Sequence, residues 1–162
     1  MPRVRITGYV PGAIGRITEM HAVYYSRHAG FGLFFESKVA SEMSEFLQRY
    51  REQRDGFWVA AAGEDIIGSV AIDGINAQKE GAHLRWFIVA PGYQGKGIGN
   101  MLLKKAVAFC READFPRIYL WTFEGLDAAR HLYEKYGFVL SKAIKGKQWG
   151  VLVREQMFEL VL

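Results

Sequence analysis

The stretch FIVAPGYQGKGIGN, residues 87–100, decides the fold class. A run of apolar residues reaches Pro91, glycines follow at alternate positions, and apolar residues then recur every three or four positions. This order predicts a strand, a glycine-rich turn and an amphipathic helix. The N–H groups at the start of such a helix attract anions, and glycines place no Cβ in the way.

The glycines of this turn reduce the stability of the helix that follows, a cost that a turn with a purely structural role would not need. Gly97 and Gly99 each lower helix propensity by about 1 kcal/mol relative to alanine. We therefore expect the turn to bind a phosphate group, with Lys96 and the side-chain amide of Gln94 as further donors. A glycine-rich turn without a ligand is the alternative.

Two common phosphate-binding patterns do not match this turn. A P-loop requires Gly-Lys followed by Ser or Thr, whereas Gly97 follows Lys96 here, so no hydroxyl is placed for magnesium. The dinucleotide fingerprint requires a glycine where Asn100 stands, and it follows the first strand of its domain. Kinase and dehydrogenase functions are therefore excluded at this turn.

Helical and strand patterns alternate outward from the turn. The spacing predicts strands near residues 3–7, 56–62, 66–73, 82–89, 117–122, 138–144 and 151–162. It predicts helices between Gly12 and Gly30, from about Ser37, over 97–113 and over 126–136. Helices interleaved among strands indicate an α/β (α+β) protein whose mixed sheet is covered by helices.

The composition is that of an ordinary soluble protein, with 162 residues, 50% of them apolar and 23% charged. This length suits a single domain over 1–162. We expect neither a membrane-spanning helix nor a signal peptide. Cys110 is the only cysteine, which fits a reducing cytoplasm. The net charge of +4 favours an anionic ligand and only weakly nucleic acid, and the histidine spacing indicates no metal site.

Two motifs resemble those of a known superfamily. QGKGIG, residues 94–99, resembles the Gln/Arg-x-x-Gly-x-Gly/Ala motif of the GNAT superfamily of N-acetyltransferases. ARHLYEKYGF, residues 129–138, resembles the second signature of that superfamily, Ala-x-x-x-Tyr-x-x-x-Gly-Phe. The order of elements also fits, so the resemblance covers essentially the whole chain. The chain is similar, too, to the acetyltransferase portion of fusions with winged-helix regulators.

The resemblance implies a mostly antiparallel central sheet, split by a V-shaped cleft that holds acetyl-CoA and flanked by about four helices. The fourth strand would pair with the pantetheine arm, and the glycine turn would bind the pyrophosphate. Relatives commonly carry an asparagine seven residues before the motif tyrosine; Leu126 stands there, so we expect that polar contact to be missing. The implied cofactor-binding residues are Ile88, Val89, Gln94, Gly95, Lys96, Gly97, Ile98, Gly99 and Asn100.

The resemblance makes Tyr133 the catalytic general acid, which protonates the departing thiolate. A phenol with an ordinary pKa of about 10 holds its proton at neutral pH, which suits that task. The backbone N–H of Val89 could polarise the thioester carbonyl. The general base stays open between water, an amine that arrives neutral, and the side chains of His83, Glu80, Glu124 and Glu155.

The acceptor is expected to be a small-molecule or peptide amine. The aromatic segment GFGLFF, residues 30–35, is predicted to connect the first two helices, where it either packs in the core or forms a wall for the acceptor. Glu36 could meet an ammonium group, and the loop 145–150 would cover the other side. A homodimer through an exposed C-terminal strand is a further expectation. A non-catalytic acyl-CoA sensor or interaction module is the alternative to an enzyme, and neither nucleic acid nor a membrane is expected as a partner.

Overall fold

The computed structural model describes residues 3–162, which form seven strands and four α-helices around one sheet. The strands are β1 (Val4–Thr7), β2 (Gly56–Ala62), β3 (Asp65–Asp73), β4 (Ala82–Val89), β5 (Arg117–Phe123), β6 (Val139–Gly146) and β7 (Val153–Val161). The helices are α1 (Ala13–Ala29), α2 (Leu33–Gln48), α3 (Ile98–Glu112) and α4 (Asp127–Lys135), with a short 3-10 turn at Pro91–Tyr93. None of the helices described is both long and apolar enough to cross a bilayer.

The sheet has the strand order β1-β2-β3-β4-β5-β7-β6. All neighbouring strands run antiparallel except β4 and β5, which are parallel. These two pair only at Ala82 with Ile118 and at His83 with Tyr119, although β4 continues to Val89. Beyond these two pairs the strands diverge and leave a wedge-shaped gap. The predicted mixed, mostly antiparallel sheet with a V-shaped cleft and four helices is confirmed.

A β-bulge bends β4 at the edge of this gap. The register places two β4 residues, Trp86 and Phe87, opposite the single residue Val70 of β3. Trp86 has a φ of 48°, in the left-handed region that bulky residues seldom adopt. The Ser69 hydroxyl donates to the Trp86 carbonyl oxygen at 2.6 Å and holds this conformation. Bulges redirect side chains and end strand pairing, and this one lies where the cleft opens.

Apolar stripes fix the helices on the sheet. In α3 the buried side chains include Ile98, Leu102, Ala106 and Cys110, spaced by four residues, so one face of the helix packs on the sheet. The helices α1 and α2 pack on each other, and α1 contacts β3 and β4. The largest side chains of this core with less than 2% exposure include Phe46, Phe138, Phe158, Ile17, Met43 and Ile72.

The second helix begins one turn earlier than the sequence pattern predicts. It starts at Leu33, with Gly32 as N-cap, and not at Ser37. Phe35 is only 5% exposed and lies on the same buried face as Val39, so the apolar stripe extends back into the aromatic segment. The second half of that segment, with Phe34 and Phe35, is therefore helical, and Phe31 precedes the helix.

The expectation of an exposed C-terminal strand is wrong. The last strand, β7, lies between β5 and β6 and pairs with both over nearly its whole length. The free edge at this end of the sheet belongs to β6, in which every residue from Val139 to Lys145 is exposed. After β6 the chain turns back in a hairpin, and β7 then lies between β5 and β6. Any dimer formed through this end of the sheet would therefore use β6.

Candidate active site

The gap between β4 and β5 opens into a cleft of about 350 Å³, a size in the range typical of small-molecule sites. Side chains from α1, α2, β4, β5, α4 and the loop after β6 line it. Of the residues singled out in the sequence, Tyr133, His83 and Leu126 line this cleft, together with Phe31 and Phe35 of the aromatic segment. The predicted cofactor-binding residues between 88 and 100 are not among its lining residues. The glycine turn lies at the end of β4, where that strand leads into α3.

The glycine turn forms an open cradle at the start of α3. Gly95 and Gly97 have φ angles of 77° and 81°, a left-handed conformation that side-chain-bearing residues seldom adopt. Gly97 is the N-cap, and its carbonyl accepts the first backbone hydrogen bond of the helix. The N–H groups of Ile98, Gly99 and Asn100 therefore have no partner inside the helix. A Cβ on Gly97 would have nothing within 4 Å, so the cradle has room for an anion.

The backbone of β4 offers Val89, and not Ile88, to the cleft. The Ala90 N–H donates to the Ile67 carbonyl of β3 at 2.8 Å. Successive residues of an antiparallel strand direct their backbone groups to opposite edges, so Ile88 bonds toward β3 and Val89 faces the gap. The Gln94 side-chain amide already donates to the Val89 carbonyl oxygen at 3.1 Å. The strand geometry therefore supports a ligand contact at the Val89 N–H.

Contacts with α4 hold the rest of the turn. The Tyr136 hydroxyl donates to Asn100 Oδ1 at 3.0 Å. A Cβ on Gly99 would lie 3.3 Å from Leu132 Cδ2 and 3.4 Å from Phe87 Cζ, so glycine lets α3 approach α4 closely. Gly99 thus has a packing reason for being glycine, whereas Gly97 has only its backbone conformation and the open space beside it.

Tyr133 of α4 reaches the cleft from within an aromatic setting. Its side chain is 6% exposed, and its ring centroid lies 5.9 Å from that of Phe87 on β4. Burial, and to a lesser degree the neighbouring Tyr25, raise the pKa of the Tyr133 phenol above its ordinary value. The hydroxyl is therefore a proton donor at neutral pH, as a general acid requires.

The four side chains left open as general base differ in their settings. His83 lines the cleft and stacks on Tyr119 with 4.5 Å between ring centroids; burial and the Arg85 cation lower its pKa to about 3. Glu155 is 4% exposed and occupied: it accepts hydrogen bonds from the backbone N–H and side-chain amide of Gln148, both at 2.9 Å. Glu80 and Glu124 are not among the cleft-lining residues. His83 alone of the four faces the cleft.

A second histidine, His21 of α1, also lines the cleft and was not singled out by its sequence pattern. Its Nδ1 lies 2.8 Å from the Ile17 carbonyl oxygen, and burial lowers its pKa to about 4. A histidine on the apolar stripe of a helix looks like a core residue, so no local signal marks it. Both cleft histidines are neutral at physiological pH.

Aromatic side chains form one wall of the cleft. Phe31 stacks on Trp149 with 6.2 Å between ring centroids and lies 5.2 Å from Phe123. The bonds from Gln148 to Glu155 hold the loop that carries Trp149. In the aromatic segment Phe31 and Phe35 both pack in the hydrophobic core and line the cleft, whereas Phe34 is 59% exposed. Glu36 is not among the cleft-lining residues.

Three charged side chains that no sequence pattern groups together also line the cleft. Lys38 and Glu42 lie on α2 and Arg85 lies on β4. Lys38 Nζ donates to Glu42 Oε2 at 2.7 Å, and Arg85 Nη2 bonds to the other oxygen of the same carboxylate. Among residues 3–162, no cluster of three or more His, Cys, Asp or Glu side chains suits a metal ion.

Comparisons with known proteins agree with this geometry. Residues 18–138 match the model of the acetyltransferase (GNAT) family. The chain is 27% identical over 128 residues to an N-acetyltransferase of Methanocaldococcus jannaschii, covering 76% of this chain and 57% of that protein. It is 34% identical over 116 residues to the N-acetylaspartate synthetase of Xenopus tropicalis, covering 71% of this chain and 42% of that protein. The chain thus spans about half the length of these relatives.

The fold is also found in a solved structure. An acetyltransferase from Salmonella typhimurium, solved with its cofactor acetyl-CoA, superposes with a TM-score of 0.72 at 16% identity, covering 98% of this chain and 94% of that one. At this identity the likeness bears on the fold alone. The family match extends from α1 through the glycine turn to the Gly-Phe that follows α4. The chain therefore belongs to the GNAT family of acetyltransferases.

Proposed function

We propose that this chain is an acetyl-CoA-dependent N-acetyltransferase that moves an acetyl group directly from the thioester to an amine. The observation that carries the proposal is that the glycine turn adjoins the cleft that holds Tyr133. The turn begins α3 at the end of β4, a Cβ on Gly99 would lie 3.4 Å from Phe87 Cζ, and Phe87 lines the cleft together with Tyr133. The printed names of the relatives, N-acetyltransferase and N-acetylaspartate synthetase, support transfer to nitrogen.

The residues of the turn fit the phosphates of the donor. The pyrophosphate would accept hydrogen bonds from the free N–H groups at residues 98–100, next to the space that a Cβ on Gly97 would fill. Gly95 and Lys96 complete the same turn. The peptide-like amides of pantetheine would meet the Val89 N–H at the edge of β4, while Ile88 supports the strand from its other side.

In the reaction the amine nitrogen bonds to the thioester carbonyl carbon and the carbon–sulfur bond breaks. An acceptor that arrives as an ammonium loses two protons: one remains on the coenzyme A thiol and the other passes to solvent. Tyr133, which is protonated at neutral pH, gives its proton to the departing thiolate, and one of the two protons lost by the amine then restores the phenol. Water relay or an acceptor that arrives neutral fits the cleft better than a histidine base, because the pKa values of His83 and His21 are about 3 and about 4.

A non-catalytic acyl-CoA sensor with the same cleft is the second candidate. The absence of a carboxylate from β4 favours it, because no obvious base then lies beside the thioester.

We also propose a cytoplasmic location for this chain. The lone Cys110 is fully buried, and burial raises its pKa to about 12, which suits an inert thiol in a reducing compartment.

Calorimetric titration with acetyl-CoA, with NAD and ATP as controls, tests the donor site, and thiol release in the presence of amines tests transfer. We expect micromolar binding of acetyl-CoA alone. Tyr133→Phe should lower kcat by about 100-fold while the Kd for acetyl-CoA changes less than twofold. Tyr9→Phe, which removes a hydroxyl from a side chain that is 58% exposed, is the control. Binding without any thiol release would favour the sensor, and absence of binding would refute both.

A further inference from the structure

The charged side chains of the cleft do not cancel. Among the described residues that line it, two cations, Lys38 and Arg85, share the single carboxylate of Glu42. Behind them, Asp73 Oδ2 lies 3.8 Å from Arg85 Nη1, but Asp73 also binds Arg49 through both carboxylate oxygens, at 2.7 and 3.0 Å. Asp73 and Arg49 neutralise each other, so Lys38, Arg85 and Glu42 together keep a net charge of about one positive unit.

The histidines do not alter this sum. Burial keeps both His83 and His21 uncharged above about pH 5, since their pKa values are about 3 and about 4. Lys38 and Arg85 also have donors to spare. An ammonium has three N–H groups and a guanidinium has five, whereas each side chain gives one to Glu42. A carboxylate between them could accept from both.

This positive region is separate from the phosphate cradle. Arg85 pairs with Ala71 and Val89 with Gly68, three residues apart on β3, and a strand advances about 3.3 Å per residue, so the two positions are about 10 Å apart. The Trp86 bulge lies between them. The diphosphate of the donor, bound at the cradle as proposed, would therefore lie away from Lys38 and Arg85, which leaves their charge available to the acceptor.

Aromatic side chains line another part of the same cleft. Phe31, Phe35, Phe123 and Trp149 face the same cleft as the charged group, and the Phe31 and Phe35 ring centroids lie 4.9 Å apart. Aromatic rings at this spacing suit an apolar or aromatic side chain of the acceptor. One cleft thus combines a positive region with an apolar wall.

We propose that the acceptor is an amine that also carries a carboxylate, namely an amino acid with an apolar or aromatic side chain, and that Lys38 and Arg85 bind its carboxylate. This inference rests on the proposed transferase function. Glu42 then acts as a positioning residue that holds both cations. The competing interpretation is that the Lys38–Glu42–Arg85 group only ties α2 to β4.

The test measures thiol release from acetyl-CoA with each of the twenty amino acids and with the matching amines that lack the carboxylate, such as phenylalanine against phenethylamine. We expect wild-type kcat/KM to be at least about tenfold higher for the carboxylate form of an apolar or aromatic pair, the discrimination typical of one charged hydrogen bond. Lys38→Gln should remove most of this preference, because kcat/KM should fall much further for phenylalanine than for phenethylamine.

Lys104→Gln is the matched control, because it removes the same charge from an exposed position on α3. Thermal unfolding of each variant separates a loss of fold from a loss of recognition. Equal or better turnover of the amines without a carboxylate would overturn the inference, and so would failure of every amino acid to react. Calorimetry of the wild type with acetyl-CoA distinguishes failure of this inference from failure of the proposed function. If the wild type binds acetyl-CoA and acetylates simple amines, only the acceptor class is refuted. If the wild type does not bind acetyl-CoA, the transferase proposal itself is refuted.

Discussion

Replacement of Gly97 by alanine separates the conformational role of this glycine from its role as an anion cradle. Gly97 has a φ of 81°, and a left-handed backbone costs an alanine about 1 kcal/mol, with a small offset from the stiffer unfolded chain. The added methyl meets nothing within 4 Å, so packing adds no further cost. We expect a loss of about 1 kcal/mol in the free energy of unfolding, or about 2–4 °C in Tm for a chain of this size.

The affinity for acetyl-CoA should fall much further. The methyl group occupies the space beside the free N–H groups of α3, so the pyrophosphate loses about two charge-assisted hydrogen bonds of about 1.5 kcal/mol each. Together these correspond to an increase of about 100-fold in Kd. Gly97→Asp should bind still more weakly, because it adds a negative charge beside the phosphates.

Gly12→Ala is the control. Gly12 is the N-cap of α1, has a φ of 91° and likewise has nothing within 4 Å of an added Cβ. It should lose the same stability without the same loss of affinity. Thermal unfolding and calorimetric titration with acetyl-CoA measure the two quantities. If Gly97→Ala and Gly97→Asp bind acetyl-CoA as tightly as Gly12→Ala does, the cradle is not the phosphate site.

Three further predictions concern buried polar groups. Between pH 6.5 and pH 4 His21 should lower the free energy of unfolding by up to about 3 kcal/mol, because only the unfolded chain readily protonates it, and His83, with a pKa of about 3, should add a loss of the same sign. Urea titrations of His21→Gln should therefore show a shallower pH dependence than the wild type, and an identical one would contradict this. Glu155→Gln should raise the acceptor KM about tenfold by weakening the hold on Gln148, with the Kd for acetyl-CoA unchanged; an unaltered KM would refute the anchoring role. Asp55→Asn should cost about 3 kcal/mol in urea unfolding, since this 1%-exposed carboxylate accepts from Arg54 at 2.7 Å, and a loss below about 1 kcal/mol would oppose this account.

The sequence predicted those parts of the structure that local patterns encode. The glycines of residues 94–99 and the alternation of apolar residues gave the turn, the helix after it and the order of elements, because backbone conformation and burial follow from neighbouring residues. Tyr133 was found through the spacing of its motif, and the structure places it in the cleft. Its role as general acid remains a prediction.

The remaining features depend on contacts between distant segments. Arg85 and Glu42 are 43 positions apart, so no local pattern could pair them. Tryptophan seldom adopts a left-handed conformation, so nothing in the sequence indicates that Trp86 does so. The conformation arises from the register of β4 on β3. The interior place of β7 depends on the direction in which the last hairpin folds back, which alternating residues do not specify.

The two residue pairs that join β4 to β5 have a mechanical consequence. Four strands lie on one side of this short seam and three on the other, so the backbone ladder holds the halves of the sheet together at one end only. A donor that lies along the gap, as the proposed function requires, would bridge the open part of the seam with its own amides. Hydrogen exchange of the β5 amides beyond Tyr119 should therefore slow when acetyl-CoA binds, and the protein without acetyl-CoA should separate along this line more easily than along any other in the sheet.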